Sequence, residues 1–192
     1  LNIYEDLEAA AKRMRKHALN THAHTVIFDL EDGCRQKVMS RTLLRQELPG
    51  FRQTSKKVAV AIRVNPFRTD EYEQDIEFVR DMADFIDVAM LAKAGEAYGA
   101  AEVRDLSNLL AGWNDKITIQ PIIEHPKSLK IASDLMQYST VKHVVFGIHD
   151  FSKAMGIHIT PENWIEELRH FMNQLMFEAR IAGKGVIGGV ET

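Results

Sequence analysis

Residues 118–124 read Thr-Ile-Gln-Pro-Ile-Ile-Glu, an apolar run ending in a carboxylate, and one strand–helix unit later residues 143–150 read His-Val-Val-Phe-Gly-Ile-His-Asp. If both runs are neighbouring buried strands, Glu124 and Asp150 leave the sheet side by side and offer hard oxygen ligands to one Mg²⁺. Pro126 opens a helix just after Glu124-His125, and Gly147 lets backbone come close to a bound ligand beside Asp150. Either acid alone could instead cap a helix or pair with a lysine. Their recurrence at two successive strand ends is what points to a metal.

Other residues admit two readings each. Asp29-Leu-Glu-Asp32 crowds three acids at the end of the first strand, where Glu31 and Asp32 either cap the next helix or orient the metal's ligands through hydrogen bonds. Arg63 ends an apolar strand, so it neutralises nearby carboxylates or forks onto a substrate carboxylate, a task its planar donors suit. Lys93, after Met90-Leu-Ala92, poses the same choice. His125 and His149 adjoin the proposed ligands but are expected to turn away from them, and Cys34 is expected to be a small loop residue without a base.

The elements that must position these residues alternate. Helix-spaced apolar residues cover 4–19, strands are expected near 25–28, 58–64, 86–91, 117–123, 143–147 and 185–190, and helices near 36–47, 70–83, 97–112, 126–137 and 161–182. Thr160 is the expected N-cap of the last helix, with Pro161 at its first position and Gly183 past its end. Near-continuous apolar strands such as Val58 to Val64 belong to a parallel sheet covered on both faces. Polar residues at successive strand ends favour a TIM-type (β/α)₈ barrel, and no glycine-rich dinucleotide turn follows the first strand. A full barrel takes eight strands in roughly 250 residues. The expectation is therefore an incomplete barrel lacking its first strand and its C-terminal part, with residues 1–192 as one catalytic domain.

Composition narrows the class. At 192 residues and 45% hydrophobic content the chain can build its own core without disulfides, and its single cysteine excludes an internal one. A net charge of −3 with scattered lysines and arginines excludes the basic stripe that nucleic acid requires. Apolar runs stop far short of the ~20 residues that span a bilayer, and no targeting segment is legible, so a cytoplasmic protein with small-molecule partners is expected.

Read as ordered blocks, Val26-Ile-Phe-Asp-Leu-Glu-Asp32 with Lys37 and Arg41, Ile62-Arg-Val-Asn65, Met90-Leu-Ala-Lys93, Ile122-Ile-Glu124 and Phe146-Gly-Ile-His-Asp150 resemble the citrate lyase β-subunit-like branch of the HpcH/HpaI aldolase and citrate lyase superfamily. The chain departs from that pattern at His125, where threonine is common, and at Ala92, where proline is. The aldolase branch fits less well, because its members carry Glu-His where this chain has Glu31-Asp32.

The resemblance implies a Mg²⁺-dependent barrel, a homo-oligomer such as a trimer or hexamer, that cleaves carbon–carbon bonds in β-hydroxy acyl-CoA thioesters of the citramalyl, malyl or citryl type. It further implies Glu124 and Asp150 as the Mg²⁺ ligands, Arg63 as the clamp on the substrate carboxylate, and Glu31 with Asp32 as the metal's outer shell. Lys93 and Gly147 join Arg63 as expected substrate-binding positions. The rival readings are a class II pyruvate aldolase acting on a free hydroxy-keto acid, and a catalytically weak metabolite-binding accessory subunit. No residue in the sequence presents itself as the base that takes the hydroxyl proton.

Overall fold

Residues 23–54 and 57–188 are described by the computed structural model. Strands β1 (Thr25–Asp29), β2 (Ala59–Val64), β3 (Val88–Leu91), β4 (Thr118–Ile123), β5 (His143–Phe146) and β6 (Gly185–Ile187) alternate with helices α1 (Lys37–Thr54), α2 (Asp70–Asp81), α3 (Ala101–Trp113), α4 (Pro126–Lys130), α5 (Ala132–Met136), α6 (Ile148–Met155) and α7 (Trp164–Ile181). All five strand pairings are parallel and the order is β1-β2-β3-β4-β5-β6, the sequential order that short right-handed crossovers produce. Among the described residues β1 and β6 are edges, so the sheet is an incomplete α/β barrel. No described helix is long and apolar enough to cross a membrane.

Alternation along each strand separates two faces. Phe28, Val60, Ile62, Ala89, Leu91, Ile123 and Phe146 join the main core under the helices. Ala61, Val88, Met90 and Ile122 form a separate buried cluster with Val145 against it, which lines the concave face. Stepping two residues from Ala61, Ile122 and Val145 places Arg63, Glu124 and Gly147 on that concave side at the C-terminal rim, and Asp29 lies opposite Arg63 in the β1–β2 register.

Several expected boundaries shift. Helix α1 continues past 47 through Pro49 to Thr54, because Leu48 and Phe51 are buried and the Phe51 ring meets Phe28 edge-on at 5.9 Å. The helix expected over 126–137 breaks at Ile131 into α4 and α5. Helix α7 starts at Trp164 and not at Pro161, with Asn163 rather than Thr160 at its N-cap position. Asn163 Oδ1 accepts from the backbone N–H of Thr160 at 2.7 Å, which closes a turn over the residues expected to begin the helix. Helix α6 is an addition that separates Asp150 from the strand end, and Gly156 closes it with φ +68°. The helix expected over 4–19 lies outside the described residues.

Candidate functional site

Glu31, Arg63, Lys93 and Glu124 meet at the rim, with Asp150 beside them. Asp29 Oδ1 accepts from Arg63 Nε at 2.7 Å and Oδ2 accepts from Arg63 Nη2, a fork made possible by register pairing of the two residues. Backbone N–H groups of Glu31 and Gly33 also donate to the Asp29 carboxylate, both at 2.9 Å, so the β1 loop wraps around it. That arginine and those amides hold the Asp29 carboxyl below its ordinary range although burial alone would raise it. Arg63 Nη1 lies 3.1 Å from Glu31 Oε2.

Glu31, 2% exposed, also pairs with Lys93 Nζ, which reaches exposed Asp32 at 3.4 Å. Burial opposes the charge on Lys93, but the hydrogen bond to Glu31 and the charges of Glu31, Asp32 and Glu124 push its pKa up. Lys93 stays a cation here, which argues against a Schiff-base nucleophile. Its backbone is in the left-handed region at φ +51°, a costly conformation for a residue with a side chain, and that bend aims its N–H at Glu124 Oε2, 2.8 Å away.

Glu124 is the most perturbed acid of the group. It is 5% exposed, and burial, reinforced by the charges of Glu31 and Asp150, pushes its pKa up to about 7 against the opposing pull of the Lys93 amide and ammonium. Asp150, in the first turn of α6, is half-buried and its charge acts on Glu124 and Glu96. Gly147 packs directly on Glu124: a Cβ there would collide with Glu124 Cγ and lie 3.0 Å from Oε1. Among the described residues no three His, Cys, Asp or Glu side chains gather around one ion position. Carboxylates suit a small hard cation, and a buried acid repelled by the charges of Glu31 and Asp150, as Glu124 is, meets the electrostatic condition that such a cation relieves.

A second layer, not anticipated from the sequence, braces the rim from the helix side. Lys37 Nζ donates to the carbonyls of Leu30 (3.0 Å) and Glu31 (3.1 Å) and to Asn65 Oδ1. Asn65 donates through its backbone N–H and Nδ2 to Asp75 Oδ2, both at 2.7 Å, and Arg41 Nε donates to Asp75 Oδ1 at 2.8 Å. Arg41 and Asp75 are buried. Of the flanking residues, His125 Nδ1 accepts from the Lys127 N–H at 3.1 Å as the cap of α4 while lying close enough to act on Glu96, His149 is exposed, and Cys34 Sγ donates to Ser40 Oγ at 3.0 Å.

A family model described as HpcH/HpaI aldolase/citrate lyase matches residues 7–192. Among solved structures, RipC from Yersinia pestis is 21% identical, with a TM-score of 0.69 over 88% of this chain and 71% of its own. Protein CitE from Mycobacterium tuberculosis in complex with magnesium and pyruvate is 21% identical, with a TM-score of 0.72 over 94% of this chain and 69% of its own. The same protein with magnesium, acetoacetate and coenzyme A is 20% identical, with a TM-score of 0.70 over 94% and 62%. No curated protein matches the sequence significantly.

Proposed function

From the premise that the chain belongs to the HpcH/HpaI aldolase/citrate lyase family, we propose that it is a Mg²⁺-dependent carbon–carbon lyase acting on a β-hydroxy acyl-CoA thioester of the citramalyl, malyl or citryl type. The observation that carries this reading is buried Glu124 at one rim of a parallel sheet, hydrogen-bonded by the Lys93 N–H and near enough to Asp150 and Arg63 to exchange charge effects with them. The complexes of the M. tuberculosis protein with magnesium, pyruvate, acetoacetate and coenzyme A support it.

Glu124 and Asp150 would hold the cation, and a bound Mg²⁺ supplies Lewis-acid charge for the substrate's carboxylate and hydroxyl oxygens. Lys93 orients Glu124 through its backbone N–H and tethers Glu31 through its ammonium. Arg63 has five N–H donors, and those not engaged by Asp29 and Glu31 can meet a substrate carboxylate. Cleavage removes the hydroxyl proton, breaks the carbon–carbon bond to give a keto acid, and leaves the electron pair on the thioester as an enolate that is then protonated. The test is release of keto acid and acyl-CoA from each of the three thioesters in the presence of Mg²⁺. Turnover of free hydroxy-keto acids instead would establish the aldolase, and Mg²⁺ binding without any turnover the accessory subunit.

The raised pKa of Glu124 gives this site a pH signature. A carboxyl whose folded pKa is about 7 against 4.5 unfolded keeps its proton in the folded state while the unfolded chain has lost it, so metal-free stability falls as pH rises from about 4.5 to 7. Mg²⁺ requires the ionised form and acts in the opposite direction. The Mg²⁺-induced rise in melting temperature is expected to be small at pH 5.5 and large at pH 8, as measured by thermal denaturation with and without the metal. A shift that is equal at both pH values would remove Glu124 from the metal site.

Arg63→Lys separates clamp from neutraliser. Loss of the paired planar donors is expected to lower kcat/KM by about 1.5–3 kcal/mol with little change in melting temperature. Near-normal turnover together with a clear loss of stability in Arg63→Ala would reduce Arg63 to the partner of Asp29 and Glu31.

A further inference from the structure

Glu102 belongs to the first turn of α3 and has no role in the chemistry above, yet it is 2% exposed and gives its whole carboxylate to the loop that leaves β3. Oε2 accepts the backbone N–H of Gly95 at 2.7 Å and Oε1 that of Tyr98 at 2.9 Å, and the N–H of Ala97 also bears on it. Its partners are amides of one loop. Burial pushes the Glu102 carboxyl up and those N–H groups oppose the shift, so the burial of an acid here is offset by its grip on the loop.

On its other side the loop is pressed onto the start of α5. Gly95 has φ +81°, and a Cβ there would lie 3.0 Å from Ile131 Cδ1 and 3.2 Å from Leu135 Cδ1. Ala92 and Ala94 are fully buried, and between them Lys93 is bent into the left-handed region at φ +51°. That bend lets one residue serve two acids from different strands: its N–H donates to Glu124 Oε2 at 2.8 Å, and its ammonium pairs with Glu31. A left-handed residue with a side chain persists only where its surroundings over-determine it. The grip of Glu102 begins at Gly95, two residues past Lys93, which is within about 7 Å along the chain. The same loop carries Glu96 to where the charges of His125, Lys93 and Asp150 act on it.

We propose that Glu102 is a positioning residue for the two acids that Lys93 serves: by holding the amides of Gly95 and Tyr98 it keeps the loop bent, which puts the Lys93 N–H on Glu124 and the Lys93 ammonium on Glu31. It acts through Lys93 and not on the reacting atoms. Its influence on Mg²⁺ affinity rests on the lyase reading; its hold on Lys93 does not. Glutamine at this position keeps the shape and one acceptor oxygen but turns an NH₂ group toward the second backbone N–H, so Glu102→Gln frees one end of the loop while α3 stays intact.

The test is hydrogen exchange of the Lys93 amide in the metal-free full chain, read by NMR, together with calorimetric Mg²⁺ titration of the same proteins. In Glu102→Gln the Lys93 amide is expected to exchange about 10-fold faster or more, with the amides of β2 and β3 unmoved. Mg²⁺ affinity is expected to fall about 10-fold or more, as for other outer partners of metal ligands. Gly95→Ala strains the same loop from its α5 side and should give the same pattern. Leu110→Val trims the buried face of α3 away from the loop, and should leave both Lys93 exchange and Mg²⁺ affinity unchanged. Equal acceleration throughout β3 and α3 in Glu102→Gln, or a matching loss in Leu110→Val, would make Glu102 a plain stabiliser of the fold and overturn the proposal. So would Lys93 exchange unmoved in both loop variants, or Mg²⁺ affinity unmoved in a chain that binds the cation. In a chain that binds no Mg²⁺ the lyase reading fails, while selective acceleration at Lys93 upholds the tether.

Discussion

Glu124→Gln is expected to weaken Mg²⁺ binding by about 100-fold or more, since changes to the outer partners of metal ligands alone cost about 10–100-fold, and to abolish Mg²⁺-dependent turnover. The same substitution should raise the melting temperature of the metal-free protein at pH 8. Glutamine keeps the shape of Glu124 and retains an acceptor for the Lys93 N–H, while it removes a buried charge that Glu31 and Asp150 repel. Loss of function with gain of stability is what a site strained for a cation produces, and few structural roles predict both. Calorimetric Mg²⁺ titration and thermal melts at pH 8 measure the two effects. An unchanged Mg²⁺ affinity, or a fall in metal-free melting temperature, would show that Glu124 serves the fold and not a metal.

Asp75→Ala should have the largest effect on stability. Asp75 is fully buried and is the one acceptor shared by Arg41 Nε and by the backbone N–H and Nδ2 of Asn65. Removing it strands a buried guanidinium with only Gln74 and the partly exposed Glu71, and leaves two amide donors without this partner. Breaking a buried pair in this way costs about 3–5 kcal/mol. For a chain of this size each kcal/mol lowers the melting temperature by about 2–4 °C, so a fall of about 10 °C is expected. Asp75→Asn, which keeps one acceptor, should lose less. Chemical denaturation giving a change below about 1 kcal/mol would mean that Arg41 and Asn65 find other partners. Because Asn65 also holds the Leu30 carbonyl and Lys37, Asp75→Ala should loosen the β1 loop that presents Glu31.

Much of this was legible in the sequence. The strand-length apolar runs spaced by helical patterns named the parallel sheet, and the period-2 alternation from Ala61 to Arg63 and from Ile122 to Glu124 suffices to put both polar groups on one face. The polar residues that break each run at its C-terminal end marked the rim. Boundaries that went astray had local causes: Pro49 suggests a helix end that the burial of Leu48 and Phe51 overrides, and Pro161 suggests a helix start that the Asn163 turn forestalls.

Partnership among those residues was decided by tertiary structure alone. Asp29 stands as one acid among three in its loop, and only the β1–β2 register, 34 residues on, makes it the fork for Arg63. Lys93 and Glu31 are 62 residues apart, and they meet because the loop after β3 is bent at a left-handed lysine and tied down by Glu102. Arg41 and Lys37 look like the solvated face of a helix, because periodicity shows which positions share a face but not which neighbouring element will cover it. Helix α2 covers Arg41 with Asp75, turning a surface charge into a buried one. The pKa of Glu124 has the same origin: a carboxyl at a strand end is ordinary by sequence, and its pKa reaches about 7 only when burial, with Gly147 packed on it, and the charges of Glu31 and Asp150, distant along the chain, act together.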